Sequence, residues 1–424
     1  MTSKRLAKAS AVSAAVVGML ALAGCAGDAG AAPGELTMTV WGGMIDAESA
    51  QARADLCTAD MDGVSVTVRH IPEDYDTTVQ TMMAGGTAPD IMQVAEGVNS
   101  FSARNQLTSL NEFIDEAGLD LSARFGPVGE LYSLDGEIFA LPDRSGAIIL
   151  YYNADLFDAA GIERPTAAWT WDDALAAMQA LTVPGEQQWG FGGAGWWAQW
   201  WSFAHQNGGA IIDADGSPTV NTPEVVEALQ WANDLVHVHG VVPSAADFAD
   251  MGIGGDQAFF AQNVAMNMTG FWALNMLTEA DFNWNIAPVW RGANQAATAF
   301  GSGLAIPRGS SNPEAAFEVI SCMTDVEAQM EIVRRAQDVP ANLVAQQSQE
   351  FLNPEWVGDR DINFGAFTES ADFVFRSPLI PDWAEMQTVF GENLEVFWNQ
   401  GGDAQERLDV IQAELERVIT PADQ

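Results

Sequence analysis

Three short β-prone runs separated by two helices, all before residue 95, constrain this chain more than any other feature. Leu36 to Val40 alternates as a strand does, the loop Trp41-Gly42-Gly43 follows, and a helix is predicted from Asp46 to about Ala59. Val64 to Arg69 is again strand-like, with Val and Thr favouring the extended backbone. Tyr75 to Ala84 reads as a helix that ends at Gly85-Gly86, and Pro89 blocks any continuation. Asp90 to Val94 then reads as a short buried strand. This strand–helix–strand rhythm predicts an α/β fold with a mainly parallel sheet and right-handed crossovers.

The residues ahead of the first strand concern compartment. Lys4, Arg5 and Lys8 precede an apolar run from Ala11 to Ala23 that ends in Leu22-Ala23-Gly24-Cys25. A charged start followed by a short apolar core is an export signal, and the run falls short of the roughly 20 residues of a membrane span. Its end resembles a bacterial lipobox, in which Cys25 is acylated and becomes the first residue of the mature chain. Residues 1–24 are therefore expected to be a lipoprotein signal peptide and 25–35 a flexible tether, the segment Asp28 to Gly34 having the Ala, Gly and Pro content of one. The 400 residues beyond the signal exceed what one apolar core organises, so two domains are expected.

Beyond the signal, 58 acidic residues face 14 arginines and no lysine, a formal charge of −44. Nucleic acid is excluded as a partner by such a field, and an anionic membrane surface is disfavoured unless lipid holds the chain there. The exchange of Lys for Asp and Glu resembles the halophilic adaptation of proteins exposed to high salt. Cys57 and Cys322 can bridge outside the cell or stay as buried thiols. No Cys/His spacing suggests a metal, and no cofactor is expected.

A second body begins near Ala147 with the β-prone run Ile148 to Tyr152. Thr170 to Asp173 is a capping box, and Thr222-Pro223 starts a helix in which Thr222 is expected to cap and Gly240 to supply the exit. Phe300 to Pro307 is another apolar passage, with Gly301-Ser302-Gly303 read as a turn, followed by a helix start at Asn312-Pro313. The passages near Ala147 and Phe300 are candidates for chain crossing between bodies.

The chemistry-bearing residues are chiefly aromatic. Of 15 tryptophans, Trp196, Trp197, Trp200 and Trp201 lie in one Gly-rich stretch, while Trp41, Trp272, Trp290 and Trp383 border predicted loops. Indole faces cover the C–H faces of sugars. If the Trp196–Trp201 stretch is helical, Trp196 and Trp200 share one side and Trp197 and Trp201 another, so at most one pair faces a ligand. Glu96, Asp143, Arg144 and Arg376 are polar candidates that would select hydroxyl positions. Catalytic motifs such as Gly-x-Ser-x-Gly and His-Glu-x-x-His are absent from the sequence, so no catalytic residue is assigned.

Several segments, in order, resemble one family. They are Ala88-Pro89-Asp90, Gly136 to Pro142, Leu150 to Phe157 continuing through Ala160-Gly161-Ile162 to Asp173, Asn207-Gly208-Gly209, Val264 to Trp272, and Gly303 to Pro307. Together they resemble the extracellular solute-binding proteins of ABC importers, in the carbohydrate-binding group that includes maltose-binding protein. The resemblance implies a two-lobed periplasmic-binding-protein fold with a central cleft and several interlobe crossings. Lobe one is expected at 36–145 plus 301–350 and lobe two at 146–300 plus 351–420. It also implies a non-catalytic monomer on the extracellular face of the membrane, anchored through Cys25. Such a protein captures a sugar or oligosaccharide and delivers it to permease subunits with their cytoplasmic ATPase. Trp272 and Trp383 match aromatic sugar platforms of the family. Trp41, Trp196, Trp197, Trp200, Glu96, Asp143, Arg144 and Arg376 complete the expected ligand set. The competing readings are an extracellular carbohydrate-active enzyme and a receptor for glycerol phosphate or a peptide.

Overall fold

A computed structural model describes residues 34–419 apart from Ala214; the expected signal peptide, Cys25 and most of the tether lie outside the described residues. The opening rhythm is present: strand β1 (Glu35–Val40), a helix Met44–Thr58, β2 (Ser65–His70), a helix Tyr75–Ala84 and β3 (Ile91–Val94). β1 is parallel to both β2 and β3, its inward Leu36, Met38 and Val40 packing on Ala50 and Ala54 of the first helix. The second helix ends as expected, with Gly85 as its C-cap and Gly86 at φ +73°.

A hairpin of β4 (Ser133–Leu134) and β5 (Glu137–Ile138) turns at Asp135-Gly136, both at positive φ. It leads into β6 (Ala140–Ala147) and β7 (Ile149–Asn153). β7 is the middle strand of a second sheet, between β8 (Met266–Thr269) and β9 (Trp284–Ala287), and both pairings are antiparallel. The chain then returns along β10 (Ala297–Ala305), antiparallel to β6 and to β3, and β11 (Val374–Arg376) adds to its edge. The expectation of parallel pairing therefore holds for β1, β2 and β3 and for β10 with β11, while β10 runs antiparallel to β3 and β6. The physical reason is connectivity: chain that leaves the first body along β6 comes back beside it along β10, which forces opposite directions.

Two of the three large apolar centres among the described residues flank that ribbon; the third lies around Tyr151, Phe271 and Phe351. Leu141 of β6 and Leu304 of β10 belong to the centre around β1, Phe125, Phe317 and Ile320. Ala147 and Ala297, at the other ends of the same strands, belong to the centre around Leu150, Trp200, Phe203, Leu229, Phe390 and Leu408. Gly301-Ser302-Gly303 is thus strand rather than turn. Cβ atoms at Gly301 and Gly303 would press on Arg144 O and the Tyr132 ring at 2.7 Å, so glycine here permits close packing. The register slips beside Ser302, which pairs with Arg144 while Gly303 pairs with Pro142, leaving Asp143 as the extra residue of a bulge.

Local signals were met unevenly. Thr170 and Asp173 form the capping box, whereas Thr222 makes no capping bond although Pro223 opens its helix and Gly240 has φ +61°. Cys57 and Cys322 form a disulfide across 265 residues, tying helix Met44–Thr58 to helix Pro313–Met323. No helix among the described residues is long and apolar enough to cross a membrane.

Candidate functional site

The chain leaves the first sheet at the carboxyl ends of β1, β2 and β3, and the three exits converge: Trp41 after β1, Asp74 to Thr77 after β2, and Ala95 to Gly97 after β3. Loops at such strand ends border the crevice of open α/β sheets. Buried Gln93 fixes them. It accepts from the Trp41 N–H at 3.2 Å and donates to Ser302 Oγ at 3.1 Å, joining β1, β3 and β10 through one amide. The Tyr75 hydroxyl donates to Thr39 O and accepts from the Gln93 N–H, each at 3.0 Å, and burial raises its pKa so that it stays a phenol. The Trp41 ring stands edge-on to Tyr75, centroids 5.1 Å apart.

Gly42, at φ +91°, carries no Cβ because Asp46 folds back over it to accept from the Gly43 N–H at 2.7 Å. The other Asp46 oxygen receives Arg144 Nη1 at 2.7 Å and Gln337 Nε2 at 2.9 Å. Asp338 lies 3.7 Å from Arg144 Nη1, and Asp143 lies 3.6 Å from Nε. Burial works against the Arg144 charge, but these carboxylates outweigh it and hold its pKa above the usual value. Burial pushes Asp338 up to about 6 despite the pull of Arg144.

The facing wall is aromatic. Trp196 caps the helix Trp197–Gln206, Trp272 follows β8, Phe300 sits on β10, and Trp383 opens the helix Trp383–Gln400. Phe300 stacks on Trp196 with centroids 5.1 Å apart and meets Trp272 edge-on at 5.3 Å. Trp197 contacts Phe300 and Trp383, each at 5.4 Å. Gly270 is needed because the Trp272 ring lies back over it, where any Cβ would collide.

Between these walls lies a cleft of about 760 Å³, lined by Trp41, Glu96, Arg144, Trp197, Trp272 and Trp383 of the expected set, and by Tyr75, Asp76, Phe300 and Asp338 among others. Burial first, and Asp76 after it, push Glu96 up to about 7, while a backbone hydrogen bond opposes them. Trp196 borders a neighbouring cavity instead. Arg376 lines a small hollow of about 30 Å³ that shares Glu96 and Phe300 with the cleft.

Two expected ligand residues are turned away from the cleft. Trp200 is 1% exposed and packs on Trp201 and Phe390, because the helix brings round to the cleft only the indole at its start, Trp197. Asp143 is also 1% exposed, held by both Nη atoms of buried Arg53 and by Gln329 Nε2 at 3.2 Å. As the bulged residue it faces the first helix while Arg144 faces the cleft. Tyr75, Asp76 and Asp338 were missed. The first two follow the end of β2, a position the strand-end rule could have supplied; Asp338 lies in a loop with no such signal. Among the described residues no group of three or more His, Cys, Asp or Glu could hold a metal ion.

Residues 52–356 match the family described as bacterial extracellular solute-binding protein. The chain is 27% identical over 180 residues to the arabinooligosaccharide-binding protein of Halalkalibacterium halodurans, covering 39% of this chain and 37% of that relative. It is 24% identical over 379 residues to the sn-glycerol-3-phosphate-binding periplasmic protein of Pectobacterium atrosepticum, covering 81% and 82%. An ABC substrate-binding protein of Listeria monocytogenes, solved in complex with cycloalternan, superposes with a TM-score of 0.83 at 27% identity, covering 90% of this chain and 98% of that one.

Proposed function

The chain belongs to the bacterial extracellular solute-binding protein family, and from that premise we propose that its cleft captures a sugar or oligosaccharide and hands it, chemically unchanged, to an ABC import permease. The observation that carries this reading is the pair of facing walls. Trp41 stands on one, and Trp197, Trp272 and Trp383 around Phe300 stand on the other, with carboxylates between. Indoles suit the C–H faces of a pyranose or furanose, and carboxylates accept its hydroxyls. Arabinooligosaccharide and cycloalternan, the ligands named for two similar proteins, agree with it.

The glycerol phosphate named for another relative fits the cleft less well. Arg144 is its cation, and that charge is already met by Asp46, Asp338 and Asp143. Asp76 adds to the negative side, so a phosphate would enter against the field.

Lobe one is assigned to 36–145 plus 301–350 and lobe two to 146–300 plus 351–420; the separate apolar centres around β1 and around Leu150 support the division, while a third, around Tyr151 and Phe271, also takes in Met330, Val333 and Val339. Ligand contacts from both lobes are complete only when the lobes close, so ligand favours the closed state and the surface it presents to the permease. Acylation of Cys25 holds this monomer at the outer face of the membrane, at high effective concentration near its permease.

The test is a thermal-shift screen of glycans and metabolites at several salt concentrations, followed by recovery of the bound compound. A sugar that raises the unfolding midpoint with concentration and is recovered intact supports the reading. A cleaved product would select an enzyme, and a phosphate ester binding where no sugar does would overturn the sugar assignment.

A further inference from the structure

Trp272 borders not only the cleft but also a second cavity of about 460 Å³, to which Trp196 and Gln199 contribute. We infer that this cavity is a second compartment of the ligand site, taking the further sugar units of an oligosaccharide whose first units lie in the cleft. The inference rests on the sugar reading above and specifies the ligand as a chain too long for the cleft alone.

Continuity is the first argument. The Trp272 indole is a wall of both spaces, and Trp196, on the second cavity, stacks on Phe300, which lines the cleft. A ligand leaving the cleft past Trp272 would stay against aromatic surface.

Chemistry is the second. Half-buried Asp256 stands in the cavity wall, oriented by Asn267 Nδ2 at 2.7 Å and Thr269 Oγ1 at 3.1 Å, with the Trp272 indole N–H as a further donor. A carboxylate offers about four acceptor positions, so one remains for a hydroxyl. The Gln199 side-chain amide is likewise fixed, its N–H donating to Met268 O at 2.9 Å while its carbonyl oxygen stands on the cavity side beside Gly193. These are oriented acceptors without a cation among the lining residues, which suits neutral polyols. Cleft and cavity each fall within the roughly 300–1,000 Å³ of a ligand site, so together they exceed what a mono- or disaccharide fills.

Gly193 gives the means to close the cavity without touching the cleft. A Cβ there would meet only Gln199 Oε1, at 3.8 Å, and its φ is not in the left-handed region. The experiment is titration calorimetry of the full chain with two ladders, arabino-oligosaccharides and malto-oligosaccharides, each from disaccharide to hexasaccharide. In the natural protein, affinity is expected to rise at least tenfold from the disaccharide to the longer members of one ladder. Gly193→Phe is expected to abolish that rise and leave disaccharide affinity unchanged. If Gly193→Phe fails to fold, Gly193→Leu carries the same comparison, with a partial loss confined to the longer chains. An affinity that does not rise with length, or a rise that survives in the variant, overturns the second compartment while leaving sugar capture standing. No binding by either ladder overturns the sugar reading and this inference together.

Discussion

Asp143→Asn is expected to unfold the first lobe more readily while leaving sugar affinity nearly unchanged. The carboxylate and Arg53 are each 1% exposed, so both charges are kept out of water by their mutual contact. Asn keeps the volume but removes the charge that both Arg53 Nη atoms address. Arg53 would then keep at most one neutral amide oxygen beside a long contact from Nη1 to Met323 O at 3.4 Å. Gln329 Nε2 also loses its charged acceptor, keeping Met323 O at 3.1 Å. Breaking one side of a buried pair costs about 3–5 kcal/mol, because the remaining charge is stranded. Urea unfolding followed by tryptophan fluorescence reads this as a lower midpoint with a similar slope. The double variant Arg53→Met, Asp143→Leu should recover most of the loss, since removing both charges also removes their desolvation cost. Calorimetry supplies the refutation: unaltered unfolding together with at least tenfold weaker sugar binding would mean that Asp143 addresses the ligand and that its orientation has been misread.

Trp272→Ala should weaken sugar binding at least tenfold by calorimetry with little change in unfolding, since the ring is only half-buried; unchanged affinity would remove it from the site. Replacing both Cys57 and Cys322 by Ser should lower stability by up to about 5 kcal/mol in chain-entropy terms, because the bridge closes a loop of 265 residues; equal urea midpoints would refute that account. Glu96, raised from 4.5 to about 7, favours the fold fully below pH 4.5 and loses that contribution as pH rises through 7, roughly 3 kcal/mol by pH 8. Glu96→Gln should therefore gain relative stability across pH 5–8, and a difference between the two proteins that stays flat over that range would contradict the burial argument.

The opening strands and helices were legible because each carries a local signal: alternation in β1, a glycine exit after Ala84, a proline before β3. Pairing direction was not, because nothing in Ile148 to Tyr152 tells a parallel strand from an antiparallel one when both faces are buried. Aromatic candidates were easier to place than charged ones. A tryptophan beside a glycine or proline turn announces a surface, and Trp41, Trp272 and Trp383 all border the cleft. Asp143 and Arg144 are adjacent in sequence, yet one is sealed against Arg53 and the other faces the cleft. The one-residue bulge that separates them leaves no mark in composition or periodicity.

That bulge also links the frame to the site. β6 and β10 carry the chain between the two apolar centres, and the same strands supply Arg144, Phe300 and Ser302 to the cleft. In the lobe assignment proposed above, a rotation of one lobe on the other would bend this ribbon, where Gly146, Gly301 and Gly303 let neighbouring groups pack close to the backbone and the register already slips. Arg144 sits at that point with Asp46 from the turn after β1 on one side and Asp338 on the other. A ligand that repositions either carboxylate would thereby act on the ribbon itself, so the residues that line the cleft are also those through which its occupancy can bias lobe closure.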